Sequence, residues 1–157
     1  MYKRQIPIFV QERVGRNGKH FKLYKLRSVA PGAPSVATHN LSLKDITKTG
    51  KIIRRLKIDE LPQLYNVLTG SMTLVGPRPS LTNQSSLIEN RMNRGVLTVL
   101  PGITGLSQIR KLDMSDEDRL VNSDTEYLEI KSVAVDLKII YMTIKGDGFG
   151  DHTLLDK

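Results

Sequence analysis

The sequence predicts an α+β fold: a small single domain, residues 1–157, in which an N-terminal β-hairpin packs with several α-helices. Three observations carry this expectation. Two stretches near the start alternate apolar and polar residues around an Asn-Gly pair, and from residue 46 onward apolar residues recur at helical spacing. A chain of 157 residues is also long enough to close one core without metal or disulfide support.

In chain order, Ile6 to Val14 and Phe21 to Leu26 read as strands joined by Gly15-Arg16-Asn17-Gly18-Lys19. Asn-Gly supplies the positive backbone angles of a tight reversal. Residues 30 to 40, with Pro31, Gly32 and Pro34, read as an irregular loop. From Ile46 the period is helical, with Ile52, Ile53 and Leu56 as a short apolar stripe among basic residues. Leu61, Leu64, Tyr65 and Leu68 then recur at the spacing of one buried helix face, and Gly70 stops that helix. Asp59 stands at its start, and Pro62 falls in its first turn, where the missing amide has no partner to lose. Gly76-Pro77-Arg78-Pro79 is a rigid extended turn, and residues 82 to 94 are a helix candidate. Pro101 to Gly105 is a second tight turn before a short apolar segment through Ile109, and residues 113 to 118 form an acidic loop. A helix from Asp124 to Ile144 carries Ile130, Val133, Ala134, Leu137, Ile140, Tyr141 and Ile144 on one face. Residues 145 to 157 read as a flexible tail, whose Gly146 to Asp151 lacks the ligand spacing of a calcium loop.

Charge is unevenly distributed. Residues 1 to 58 carry a balance of +12 and residues 59 to 157 a balance of −4, within a net charge of +8. A one-sided positive field suits a phosphate-rich partner: nucleic acid, anionic lipid or a nucleotide. The absence of cysteine removes disulfides, thiolate zinc sites and a cysteine nucleophile. The three histidines, His20, His39 and His152, are too scattered for a zinc site. No stretch reaches the roughly 18 to 20 apolar residues of a membrane span, and the start has no signal-peptide character.

Three constellations bear chemistry. Asp59-Glu60 at a helix start would meet unpaired amides and the positive end of the dipole, which keep a carboxylate ionised as nucleophile or Mg²⁺ ligand; plain capping accounts for the pair equally well. Lys25, Arg27, Arg54, Arg55 and Arg78 are the cations, and Arg78 between two prolines loses little freedom on gripping a phosphate with its planar fork. The two Gly/Pro turns match no nucleotide-binding signature.

Together these segments resemble one family, the monotopic phosphoglycosyl transferases, also called bacterial sugar transferases. The resemblance rests on Pro7 to Lys19, Phe21-Lys-Leu-Tyr-Lys-Leu-Arg-Ser, Arg54-Arg-Leu-Lys-Ile-Asp-Glu-Leu-Pro-Gln-Leu-Tyr-Asn-Val-Leu-Thr-Gly-Ser-Met and Leu74-Val-Gly-Pro-Arg-Pro. It continues in Pro101-Gly-Ile-Thr-Gly-Leu-Ser-Gln and in Asp124-Thr-Glu-Tyr followed by Ser132 and Asp136-Leu-Lys-Ile. It implies transfer of a sugar-1-phosphate from a UDP-sugar to polyprenyl phosphate, as the first membrane step of glycan assembly. Asp59 would be the nucleophile and Glu60 the Mg²⁺ ligand. Arg78 would contact phosphate, Lys25 and Arg54 would be active-site cations, and Gln108, Asp124 and Tyr127 would stand in the substrate site.

The resemblance also implies a hydrophobic re-entrant helix ahead of Pro7, where this sequence has six residues, and truncation is the expectation. The full-length form would then work at the cytoplasmic face of the bacterial inner membrane, while this chain alone reads as soluble. The basic front and the Ile52, Ile53, Leu56 stripe offer another route to the membrane surface, and a homodimer is admissible. Two alternatives of other classes are a nucleic-acid-binding module and an inactive scaffold. The first lacks a recognised motif and has only 5% aromatic residues; the second is disfavoured by intact Asp59, Glu60 and Arg78.

Overall fold

The computed structural model describes residues 7–29, 46–112 and 114–146. The expected loop over 30–40 and most of the expected tail lie outside these residues. The hairpin forms as the alternation requires: β1 (Ile8–Val14) and β2 (His20–Leu26) pair antiparallel, with Phe9 opposite Lys25 and Arg13 opposite Phe21. Asn17 and Gly18 take φ of 58° and 72° in the reversal, the left-handed region that these residue types enter most readily. β1 also pairs antiparallel along its other edge with Ser80 and Leu81, which makes it the middle strand of a three-stranded sheet.

Ile46 does not open a helix but bridges Val29. Helix α1 (Lys48–Arg55) starts after Thr47, whose hydroxyl accepts from the Gly50 amide at 2.9 Å. A side chain at Gly50 would collide with the Ser28 carbonyl, so glycine there lets α1 lie directly against the end of the hairpin. A single 3-10 turn (Ile58–Glu60) follows, and then α2 (Gln63–Leu68) directly after Pro62.

The periodicity of α2 is correct, but its orientation is the reverse of the one expected. Leu61, Leu64, Tyr65 and Leu68 face outward, Leu68 at 86% exposure, while Gln63 and Asn66 are buried. Asn66 explains the inversion. Its amide donates to the Lys22 carbonyl at 2.7 Å and accepts from the Tyr24 amide at 3.2 Å, acting as a strand substitute along the edge of β2. Buried backbone groups of an edge strand need partners, and a polar helix face supplies them where leucines could not.

The second half is built around a parallel pair, β3 (Thr73–Val75) and β5 (Gly102–Thr104); the expected tight turn at 101–105 is therefore mostly strand. A Cβ at Gly102 would strike the Gly76 backbone, so the two Gly/Pro segments can meet only because glycine stands at 102. β4 (Ser80–Leu81), α3 (Ser85–Asn93) and the short α4 (Leu106–Ile109) complete this region. The expected long C-terminal helix is two helices, α5 (Glu117–Ile130) and α6 (Val133–Lys145). Ser132 divides them: its extended backbone breaks the helical path and its hydroxyl accepts from the Val135 amide to start α6. At the other end, Asp116 caps α5, so the acidic segment is loop only as far as residue 116.

The core falls into two adjoining clusters, Val75, Leu106, Tyr127 and Ile139 in one and Leu87, Val96, Leu120 and Val121 in the other; Leu128 packs against both. Of the apolar face expected on the last helix, little is buried. Val133, Leu137, Tyr141 and Ile144 are between 61% and 79% exposed, and the buried residue of α6 is Ile139. Among the described residues no helix is long and apolar enough to cross a membrane.

Candidate active site

Strand alternation places every second side chain of the hairpin on one face, so Arg13 on β1 joins Leu23 and Lys25 on β2 there. The 3-10 turn after α1 carries Asp59 and Glu60 toward that face, and the turn between β3 and β4 brings Arg78 from the other side. Arg13, Leu23, Lys25, Glu60, Gln63, Arg78 and Pro79 meet in a cleft with Gly102 and Ile103, about 220 Å³ including the solvent at its mouth.

At its centre Glu60 Oε1 accepts from Lys25 Nζ at 3.1 Å and from Arg78 at 3.3 Å. Burial by itself would raise the Glu60 pKa. Lys25, then Arg78, then Lys57 more than reverse this and bring it from 4.5 to about 2. The Lys25 pKa is lowered as well: loss of hydration outweighs the attraction of Glu60, and Arg78 and Arg13 add to the loss. Burial and then Arg78 lower Arg13 too, against the pull of Glu60, although a guanidinium keeps its proton at neutral pH in any case. Five cations, Lys25, Arg78, Lys57, Arg13 and Arg54, thus act on the two carboxylates Glu60 and Asp59, an environment poised to take up further negative charge.

Asp59 is 8% exposed. Its pKa is raised, by burial first and then by Glu60, with Lys25, Arg54 and Arg78 opposing. What the structure corrects is the expected place of Asp59 at a helix mouth. Asp59 lies inside one 3-10 turn, behind Lys57 in the left-handed region, and the opposing field comes from side chains. Arg54 is near enough to act on Asp59 and is itself anchored by Nε donating to Ser28 Oγ at 2.8 Å.

Of the residues expected to surround the substrate, Lys25, Glu60 and Arg78 line the cleft, with Asp59 and Arg54 in electrostatic reach. Gln108, Asp124 and Tyr127 do not come to it. Gln108 is 5% exposed on α4, and its amide has no hydrogen-bond partner among the described residues. Asp124 is closed inside the protein by Arg91 and Ser107. Tyr127 is a core residue whose hydroxyl donates to Asp136 at 2.8 Å, and burial with that contact raises its pKa. These corrections share one cause: motif membership marks a residue as required without telling whether it is required in the cleft or beneath it. Two cleft residues were missed, Arg13 and Gln63. The hairpin register holds the signal for Arg13, because it shares a strand face with Lys25.

Comparison with known proteins shows the family. The chain is 43% identical to a galactosyl transferase of Streptococcus agalactiae over 88% of this chain and 34% of that protein. It is 40% identical to an undecaprenyl-phosphate glucose phosphotransferase of Komagataeibacter xylinus, over 90% and 29% of the two chains. It is 38% identical to a UDP-glucose:undecaprenyl-phosphate glucose-1-phosphate transferase of Escherichia coli, over 87% and 32%. The chain therefore spans about a third of the length of these relatives. A family model described as bacterial sugar transferase matches residues 1–147, and the chain belongs to that family.

Proposed function

We propose that this bacterial sugar transferase moves a sugar-1-phosphate from a UDP-sugar to a polyprenyl phosphate, with Asp59 as nucleophile. The observation that carries the reading is the surplus of fixed positive charge that Lys25, Arg78, Arg13 and Arg54 place around Glu60 and Asp59, beside a cleft lined by Lys25, Glu60 and Arg78. The relatives named as undecaprenyl-phosphate transferases supply the reaction class.

In the first step an Asp59 carboxylate oxygen attacks the phosphorus that bears the sugar. The bond from that phosphorus to the bridging oxygen breaks, and UMP leaves with the electron pair. In the second step an oxygen of polyprenyl phosphate attacks the same phosphorus and Asp59 departs as a carboxylate, leaving a lipid diphosphate sugar. Arg78, whose side chain is 30% exposed, is the cation best placed to reach from Glu60 to an arriving phosphate. Lys25 is more enclosed, 16% exposed, and holds Glu60 in place beside the nucleophile. Arg54 offsets the charge of Asp59 from the other side.

Mg²⁺ fits the donor set. The ion is usually held by one or two carboxylates together with substrate phosphates, and Glu60 would supply the carboxylate beside the nucleophile. Among the described residues no cluster of three acidic or histidine side chains offers a separate cage. When bound, the ion would offset charge on the diphosphate and improve the leaving group.

The acceptor dissolves in a bilayer, and the outward faces of α1, α2 and α6 give the domain a means to reach it. Ile52 and Leu56, then Leu61 to Leu68, then Val133 to Ile144 all expose apolar side chains. Apolar faces beside a strongly basic segment match the interfacial mode of binding anionic membranes. The reading is tested by supplying a panel of UDP-sugars with Mg²⁺ and undecaprenyl phosphate in detergent and following UMP release. Release with at least one sugar by the wild type, and none by Asp59→Asn, is expected; equal release by both overturns the mechanism.

A further inference from the structure

The Pro77-Arg78-Pro79 turn presents an unusual backbone problem. Its two prolines have no amide hydrogen, so the segment is short of donors while its three carbonyls all need them. Each carbonyl is served by a different element. Pro77 accepts from the Gly102 amide of β5 at 2.9 Å, Arg78 from Arg91 of α3 at 2.7 Å, and Pro79 from Arg13 of β1 at 3.1 Å.

Arg91 is the central member. It is 1% exposed and among the largest fully buried side chains of the protein. One terminal nitrogen donates to both the Arg78 carbonyl and Ser80 Oγ at 2.7 Å, and the other to Asp124 Oδ2 at 2.6 Å. Asp124 is in turn fixed by the Ser107 hydroxyl on its second oxygen. A buried ion pair is a weak source of stability, because desolvation offsets most of the attraction. Its geometry is informative: a guanidinium is the one side chain whose fork spans a carboxylate on α5 and two acceptors on the turn at once.

We propose that Arg91, locked by Asp124 and aided by Arg13, is a positioning residue that grips the Pro-Arg-Pro turn by its carbonyls and so fixes the Arg78 guanidinium at the cleft. The function of Asp124 is thereby reached through Arg91 and the turn. The proposal rests on the proposed function for what Arg78 binds, but not for the order of the turn.

The test is a double-mutant cycle on UDP affinity, measured by calorimetry with Mg²⁺, using Arg91→Lys and Arg78→Ala. Lysine keeps the charge but cannot span carbonyl and carboxylate together. If Arg91 acts through Arg78, Arg91→Lys weakens UDP binding by roughly tenfold in the wild-type background and by less than about twofold once Arg78 is alanine. Equal losses in both backgrounds, or no loss in the first, overturn the proposal. Hydrogen exchange over residues 76–81 without ligand gives a second measurement. Faster exchange in that segment, with the remainder of the chain unchanged, supports the clamp even should UDP fail to bind the wild type, a result that would count against the proposed function alone. Unchanged exchange overturns the clamp. Should Arg91→Lys fail to fold, Asp124→Asn, which loosens the other end of the same clamp outside the cleft, takes its place in both measurements with the same expected pattern.

Discussion

Two buried acid–base clusters among the described residues use the same chemistry to opposite ends. Around Glu60, two cations reach a single carboxylate oxygen at 3.1 and 3.3 Å, with Arg78 partly open to solvent. Around Asp124, one arginine meets one carboxylate at 2.6 Å, and both are at most 2% exposed. The first cluster carries more positive charge than its own carboxylates consume, and its Arg78 side chain is 30% exposed. The second is balanced and closed. Accessibility and charge surplus, not the presence of a buried ion pair, separate a binding site from the framework that holds it.

The comparison breaks most visibly if the closed cluster can be opened without penalty. Asp124→Ala leaves Arg91 buried without its carboxylate and should destabilise the fold by roughly 3 to 5 kcal/mol, a melting shift on the order of 10 °C by calorimetry. Arg78→Ala should do the reverse. Thermal stability should move by only a few degrees, while UDP affinity falls by roughly tenfold to a hundredfold, the worth of a lost charge-assisted contact.

Acid titration sharpens the contrast further. The Glu60 pKa lies at about 2 in the fold against 4.5 ordinarily, so its contribution to stability is complete above pH 4.5 and is lost as pH falls toward 2. Glu60→Gln should flatten that part of a stability–pH profile. Asp59 is shifted upward, so the acid limb of activity should lie above the range of a free aspartate, and Lys25→Ala should move it higher still by removing the largest opposing charge. The smallest effect on folding is expected on the outer face of α2. Leu68→Glu, at 86% exposure, should change stability by less than about 0.5 kcal/mol, yet reduce cosedimentation with anionic vesicles.

Local chemistry made much of this legible. The hairpin follows from alternation and Asn17-Gly18, and α1, α2 and α3 lie where period and breakers place them. What periodicity could not tell is which way a face points. Leu61, Leu64, Tyr65 and Leu68 do share a face, but water-soluble burial was the wrong assumption for it, because the edge of β2 required the polar side of α2. The break at Ser132 is hidden in the sequence because the apolar spacing continues across it. In the site, motif residues were found readily, yet Asp124 and Tyr127 proved to lie beneath the cleft and Arg13 within it. Tertiary placement of that kind depends on strand register and on partners far away in sequence, such as Arg91 for Asp124.

The central claim is that Asp59 takes the phosphosugar onto itself. Intact-protein mass spectrometry after incubation with a UDP-sugar and Mg²⁺, without lipid acceptor, tests it directly. The account predicts a gain of one sugar phosphate, mapped to the peptide containing Asp59, absent in Asp59→Asn and discharged when polyprenyl phosphate is added. UMP release with no adduct on the wild type, or an adduct that persists in Asp59→Asn, would contradict it.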